Sequence, residues 1–376
     1  MEMMFRKFLR PVKTFRIRGI SRTLSFSGNC LNDTTYVEQL HKRGLLRVSG
    51  KETSVFLQGV ITNDIRHLQE GALSMYTMFL NTKGRVLYDG IIYRTSDPDI
   101  VFVESDSEAL PALQKHLKLY RVRRKIDIDI IDDMFKVWVV FDREKSQYLE
   151  KDIHDPTLLK GQIVSHGGTM PDKELEVGNS VIKALNNKDS YIVTRDPRLP
   201  ALGHRILAPV GEDVRKDVGL LKSDECTTFN YKVVRYMLGV GEGVDDLPPG
   251  KCFPLEANCD YLHGVSFHKG CYIGQELTAR THHTGVVRKR LMPLFFDSEP
   301  SVEFKPDTPI YATPETKNAV GKLRGVEKNV GLGLLRITEA LQTSVMRVMD
   351  VLVRTKRPNW WPQEAPKERS IVIKEL

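Results

Sequence analysis

An α+β chain that ends in a separate β-barrel is what this sequence predicts, and three observations carry that prediction. Residues 75–106 hold three short apolar runs, MYTMFL, RVLYDGIIYR and DIVFVE, broken by turn residues at 81–84 and 96–99, which is the pattern of antiparallel strands. A helical stripe, Leu110, Leu113 and Leu117, follows and gives way to the strict alternation of IDIDII, so a helix packs on that sheet. After Arg288 the chain breaks into short alternating segments, RLMPLFF, AVGKLRGV, VGLGLLRI and TSVMRVMDVLV, spaced as in a small barrel. With 376 residues and 41% hydrophobic content, two or three domains with sizeable cores are expected.

Taken in order, residues 1–28 form a leader. They hold Arg6, Lys7, Arg10, Lys13, Arg16, Arg18 and Arg22 against the single acid Glu2, with apolar residues interleaved and serines at the end. That is the composition of a mitochondrial transit peptide, not of a secretory signal, whose apolar centre is continuous. Leu45, Leu46 and Val48 then read as a strand, and Ser49 with Glu52 as a capping box for a helix through Val55, Phe56 and Val60. The helix ends near Thr62, Asn63 and Asp64, short polar residues that turn a backbone or bond a ligand. The helix–sheet unit spans about 74–141, with the basic run RVRRK at 121–125 as a solvated connection. FKVWVVF is a further strand, and from Asp142 to about Asn179 a polar stretch without period reads as a surface insertion. Strands resume at YIVTR and HRILAPV. Asp224 is placed to cap a helix with Phe229, Val233 and Met237 on one face. The barrel occupies 286–355, and 356–376 is a charged tail in which Trp360 and Trp361 fold back onto it.

Composition narrows the function. Of the formal charge of +8, the leader holds six units, so the remainder is too weakly basic for a nucleic-acid surface to be expected. No apolar run approaches the roughly 20 residues a membrane span needs. Five scattered cysteines do not form a disulfide framework, and the GVGEGVDDLPPG stretch lacks the flanking strand and helix of a nucleotide loop. Cys252, Cys259, His263, His268, His282 and His283 crowd into one segment, but tight paired-cysteine knuckles, the usual mark of structural zinc, are missing.

The most chemically loaded stretch is His268–Arg280, HKGCYIGQELTAR. It places Cys271 after Lys269 and ahead of a helix beginning at Gln275. A neighbouring ammonium and a helix start both favour the thiolate, the form that binds metal or attacks. The competing reading is a buried cysteine filling an apolar gap.

KGCYIGQE with Arg280 resembles the signature of the folate-binding, YgfZ-type branch of the glycine-cleavage T-protein superfamily. FLQGVITND and NTKGRVLYDGIIY resemble its first block, and LGHRIL, PLEAN and AVGKLRG later ones, so the likeness runs from about Leu45 to about Ile337. The resemblance implies a three-domain, T-protein-like ring around a cavity, with a ferredoxin-like second domain and the C-terminal β-barrel; residues 29–285 would hold two intertwined domains. With the transit-like leader, it points to the mitochondrial members that assemble iron–sulfur clusters in the matrix with A-type scaffold proteins and mature [4Fe-4S] proteins.

Carried over by position, the resemblance makes Cys271 the thiolate of a cluster shared with a partner and Lys269 its electrostatic neighbour. Gly270 and Gly274 become points of close backbone approach, Tyr272 and Arg280 motif support, and Gln275 and Glu276 side chains that tie the loop. Asn63, Asp64 and Asp89 would face tetrahydrofolate. Two departures weaken transfer chemistry: Tyr88–Asp89 stands where aminomethyltransferases carry paired aspartates, and 200–204 (PALGH) lacks the pterin-gripping glutamate. The rival readings are a folate-dependent aminomethyl transferase using Asp89 as its acid/base group, and a folate-dependent tRNA-modification factor.

Overall fold

A computed structural model describes residues 35–142, 182, 185–218, 229–313 and 318–362. The expected leader, Cys30, most of the insertion after Asp142, Cys226 and the end of the charged tail lie outside these residues.

The first layer is a five-stranded sheet built from β2 (Arg43–Ser49), β3 (Ser74–Leu80), β4 (Val86–Arg94), β5 (Ile100–Asp106) and β6 (Asp127–Ile130), in the order β3-β4-β5-β2-β6 with every pair antiparallel. Helices α1 (Thr53–Val60) and α2 (Leu110–Arg121) cover it. The stripe Leu110, Leu113 and Leu117 is buried against Phe56, Leu57, Val103 and Ile128, as the spacing predicts. Each such side chain contributes about 1.5–3 kcal/mol of burial free energy. The expected capping box is not formed. Ser49 is the last residue of β2, and the Glu52 carboxylate accepts the backbone N–H of Lys125 instead of closing on α1.

This unit corrects the expected boundaries of 74–141 at both ends. Arg43–Ser49 enters the sheet between β5 and β6, a long-range pairing that local periodicity does not reveal. Phe135–Asp142 (β7) leaves it for a second sheet with β1 (Thr35–Gln39), β8 (Ile192–Arg195) and β9 (His204–Pro209), ordered β1-β7-β9-β8. The reason is that β7 is apolar on both faces. Val137, Val139 and Phe141 enter the main core, while Trp138 and Val140 enter a smaller one with Leu185, Ile206 and Val214.

Helix α3 (Tyr231–Met237) is capped by Asn230, whose side chain accepts the Val233 N–H at 2.9 Å. Asp224, the expected cap, lies outside the described residues, and Phe229 precedes the helix. Six strands, β10 (Lys289–Phe296), β11 (Pro309–Ala312), β12 (Gly321–Glu327), β13 (Val330–Arg336), β14 (Met346–Val348) and β15 (Val351–Thr355), close the barrel in the order β10-β13-β12-β11-β14-β15. Trp360 and Trp361 fold back and are buried; the Trp360 indole donates to Leu238 O at 2.8 Å, and Trp361 packs on Tyr261. One continuous core runs from Tyr76 and Ile91 through Val137 and Tyr236 to Leu291 and Leu332, so the barrel is welded to the α+β body.

Candidate functional site

The thiol loop is held where three elements meet. Helix α4 (Gln275–Thr284) starts at Gly274, whose φ is +76°. A Cβ on Gly274 would lie 2.3 Å from Asn81 O, and one on Gly84, at φ +72°, 2.9 Å from Gly274 O. Only two glycines allow the β3–β4 turn to close on the loop this tightly. On the other side Ile273 N–H donates to Gly59 O at the end of α1, and Gln275 Oε1 accepts the Tyr272 N–H at 3.2 Å. Lys269 Nζ donates to Ile61 O and Asn63 O at 2.8 and 2.6 Å, and sits 4.9 Å from the Tyr272 ring centroid. Burial pushes the Lys269 amine down to about 7, with the Asp64 charge opposing that shift.

The motif residues therefore divide. Gly274 makes the close approach; a Cβ on Gly270 would meet nothing within 4 Å, so that part of the expectation is corrected. Gln275 ties the loop, whereas Glu276 is exposed and forms no such bond among the described residues. Lys269 turns its ammonium to the backbone carbonyls of Ile61 and Asn63 and clamps the loop. Tyr272 is buried beneath it and Arg280 is exposed on α4. Cys271 is exposed, while Cys252 and Cys259 are buried, which pushes their thiols up, Cys252 to about 12. The gap-filling reading thus fits those two and not Cys271. His282 stacks on Phe267 at 3.5 Å. Among the described residues no three His, Cys, Asp or Glu side chains are grouped to hold a metal ion.

The residues expected to face folate are engaged by the protein itself. Asn63 Nδ2 donates to Tyr76 O and His263 O, and its Oδ1 accepts the Asp64 N–H. Burial alone would raise the Asp64 carboxyl, but bonds from Arg66 and Gln58 hold it down to about 2. Asp89 Oδ1 accepts the Gly243 N–H at 3.0 Å beside Arg43, leaving Oδ2 without a hydrogen bond. A pterin edge presents adjacent N–H donors and needs both oxygens of one carboxylate; Asp89 has Oδ1 taken by the Gly243 N–H and Oδ2 buried 3.3 Å from Arg43 Nη1, and both Asp64 oxygens are taken by Arg66, so neither supplies them. The assigned set does not fit tetrahydrofolate. A cleft of about 280 Å³ does open near Asn63, Tyr76, Thr194, Asp196 and His263.

What sequence reading missed is the centre itself. Arg43 (β2) and Arg205 (β9) converge on Glu104 (β5) at 2.7 and 2.8 Å; Arg198 and Arg205 share Asp196; both also reach Glu242, and Arg235 (α3) pairs with Asp246 at 2.7 Å. Arg198 and Arg205 are fully buried. Burial would raise the Glu242 carboxyl, but the guanidiniums of Arg205, Arg198, Arg43 and Arg235 override it and hold it well below the carboxylate range. Isolated charges this deep are prohibitively costly, so the pairing is obligatory. The available signal was charge inside apolar strands: Glu104 in IVFVESD and Arg205 in HRILAP.

Comparison with known proteins adds three findings. A family profile described as the CAF17 C-terminal beta-barrel domain matches residues 288–363, the barrel and the returning tryptophans. The human protein named iron-sulfur cluster assembly factor IBA57, mitochondrial, is 36% identical over 339 residues, covering 86% of this chain and 85% of its own; the mouse protein of the same name is 36% identical over 342 residues, covering 87% and 86%. In fold, the chain superposes on the glycine cleavage system aminomethyltransferase T of Bartonella henselae with a TM-score of 0.60 over 88% of this chain and 87% of that one, at 12% identity.

Proposed function

This chain belongs to the family of mitochondrial iron–sulfur cluster assembly factors named IBA57, and from that premise we propose that Cys271 is the thiolate through which it holds a cluster shared with an A-type scaffold protein during maturation of [4Fe-4S] proteins in the mitochondrial matrix. The observation that carries the reading is the exposure of Cys271 on a loop whose backbone is fixed on three sides, while Cys252 and Cys259 are buried. Thiolates are the ordinary ligands of such clusters, and one thiolate cannot complete a site, so the partner supplies the rest. Lys269 and Gly274 act as positioning residues. Residues 1–28 would serve as the import leader.

The transferase rival needs a carboxylate that exchanges protons with substrate, and Asp89 is buried beneath Arg43. The test of the proposal is thiol protection. The chain is mixed anaerobically with a reduced A-type scaffold, iron and sulfide, then treated with an alkylating agent and mapped by mass spectrometry. Cys271 is expected to be alkylated in the isolated chain and protected in the loaded complex; equal labelling in both would sink the ligand role.

A further inference from the structure

We propose that the outer face of α2 and the turn after it form a docking surface for an anionic phospholipid leaflet. Residues 109–126 contain six Lys and Arg and no Asp or Glu, although the chain beyond its leader is nearly balanced. The buried stripe Leu110, Leu113 and Leu117 fixes the helix against the sheet, and so fixes what points outward. On that outer side stand Lys115, Lys118, Arg123 and Lys125, exposed and in no side-chain ion pair among the described residues, together with Leu119 and Val122. These are the two most exposed large apolar side chains among the described residues, at 71% and 74%. The third, Val55, lies on α1, which packs beside α2 on the same sheet.

Val122 ends the helix at φ +54°. With ψ at −111° it lies outside the allowed wells of a residue with a Cβ, at a cost of roughly 1–3 kcal/mol, and a β-branched residue is rare at positive φ. The turn therefore holds an aliphatic side chain in solvent at a position where glycine would be easier. A favourable interaction with the helix dipole accounts for Lys118 and Arg121 in the last turn, and Arg121 also donates to Ile126 O. It accounts neither for Arg123, Arg124 and Lys125 nor for the protruding aliphatics.

Cations around exposed aliphatics match a charged interface with hydrocarbon beneath it. Single-stranded nucleic acid calls instead for planar rings, and the aromatic residue of this stretch, Tyr120, is half-buried against the inner core and packs on His116. No described helix is long and apolar enough to cross a membrane, so the contact is interfacial. Helix α1 spans about 12 Å between the turn at Lys125 and the thiol loop at Gly59. The inference does not rest on the role of Cys271.

The test is flotation of the full chain with phosphatidylcholine vesicles, with and without about a quarter phosphatidylglycerol, alongside a single-stranded RNA oligonucleotide. Binding is expected on anionic vesicles alone and to fall with salt. Lys115→Gln with Lys118→Gln should weaken it about 25-fold, since each lysine near such a surface is worth roughly fivefold. Leu119→Ser with Val122→Ser should weaken it severalfold at unchanged charge, and both double variants should melt as the parent does. Equal binding to neutral vesicles, no vesicle binding, insensitivity to the aliphatic pair, or RNA binding sensitive to the lysines alone would each overturn the proposal.

Discussion

At the centre of the molecule, four arginines and five carboxylates lie buried within ion-pairing distance of one another; at its rim, one thiol stands in solvent on a loop held by bonds that each end on a backbone atom. Both regions are built from reactive or charged residues, yet only the second leaves its polar side chain, the Cys271 thiol, open to solvent. The difference lies in what each polar group is bonded to. In the centre, side chains satisfy side chains, so charge becomes cross-linking between two sheets and α3. At the loop, Lys269, Gly274 and Gln275 spend their interactions on backbone, so the backbone is fixed and the sulfur remains available.

The largest effect that can break this comparison is removal of one central charge. Glu242→Gln leaves Arg198 and Arg205 short of a counter-charge, and stability should fall by about 3–5 kcal/mol, read as the denaturant midpoint. Its pH dependence has a definite sign. The folded Glu242 pKa is depressed, so its contribution is present above the unfolded value near 4.3 and is lost as pH falls toward the folded one. The variant should therefore show a flatter acid limb; an unchanged limb and midpoint would mean the cluster does not hold the sheets together.

Next comes a paired substitution in the loop. Gly274→Ala meets both the positive φ and Asn81 O; the conformation alone costs about 1–2 kcal/mol, and the clash adds to it. Gly270→Ala should lie within ~0.5 kcal/mol of the parent. Equal costs would show that the loop is not pinned where the two glycines meet. Lys269→Met, which strands two carbonyls, should cost about 1–3 kcal/mol and speed hydrogen exchange at the Ile273 amide, whereas exchange unchanged from the parent would contradict the clamp.

How much of this was legible in the sequence follows the same division. Local periodicity revealed β3 to β5, the α2 stripe and most of the barrel, because each is set by neighbours two to four residues apart. It did not reveal Arg43–Ser49 in mid-sheet or β7 in another sheet, since those pairings join residues remote in the chain. The family resemblance marked Gly274 as a point of close approach, whereas the clamp made by Lys269 was not legible, because the direction of a long side chain depends on carbonyls some two hundred residues away. The central cluster escaped for a related reason: Glu104 and Arg205 stand out as charges inside apolar strands, but the partners that satisfy them come from remote segments of the chain.

The ligand role of Cys271 is tested most directly by Cys271→Ser, which exchanges one sulfur for oxygen and changes little volume. Two quantities are measured on one variant: the melting temperature alone, and the visible absorbance of the cluster formed anaerobically with an A-type scaffold, with buried Cys259→Ser as the comparison. An exposed thiol that serves as a ligand predicts a melting transition within about 0.5 kcal/mol of the parent and loss of the cluster absorbance, while Cys259→Ser lowers stability first. Undiminished absorbance in Cys271→Ser, or a collapsed melting transition in that variant, would contradict it.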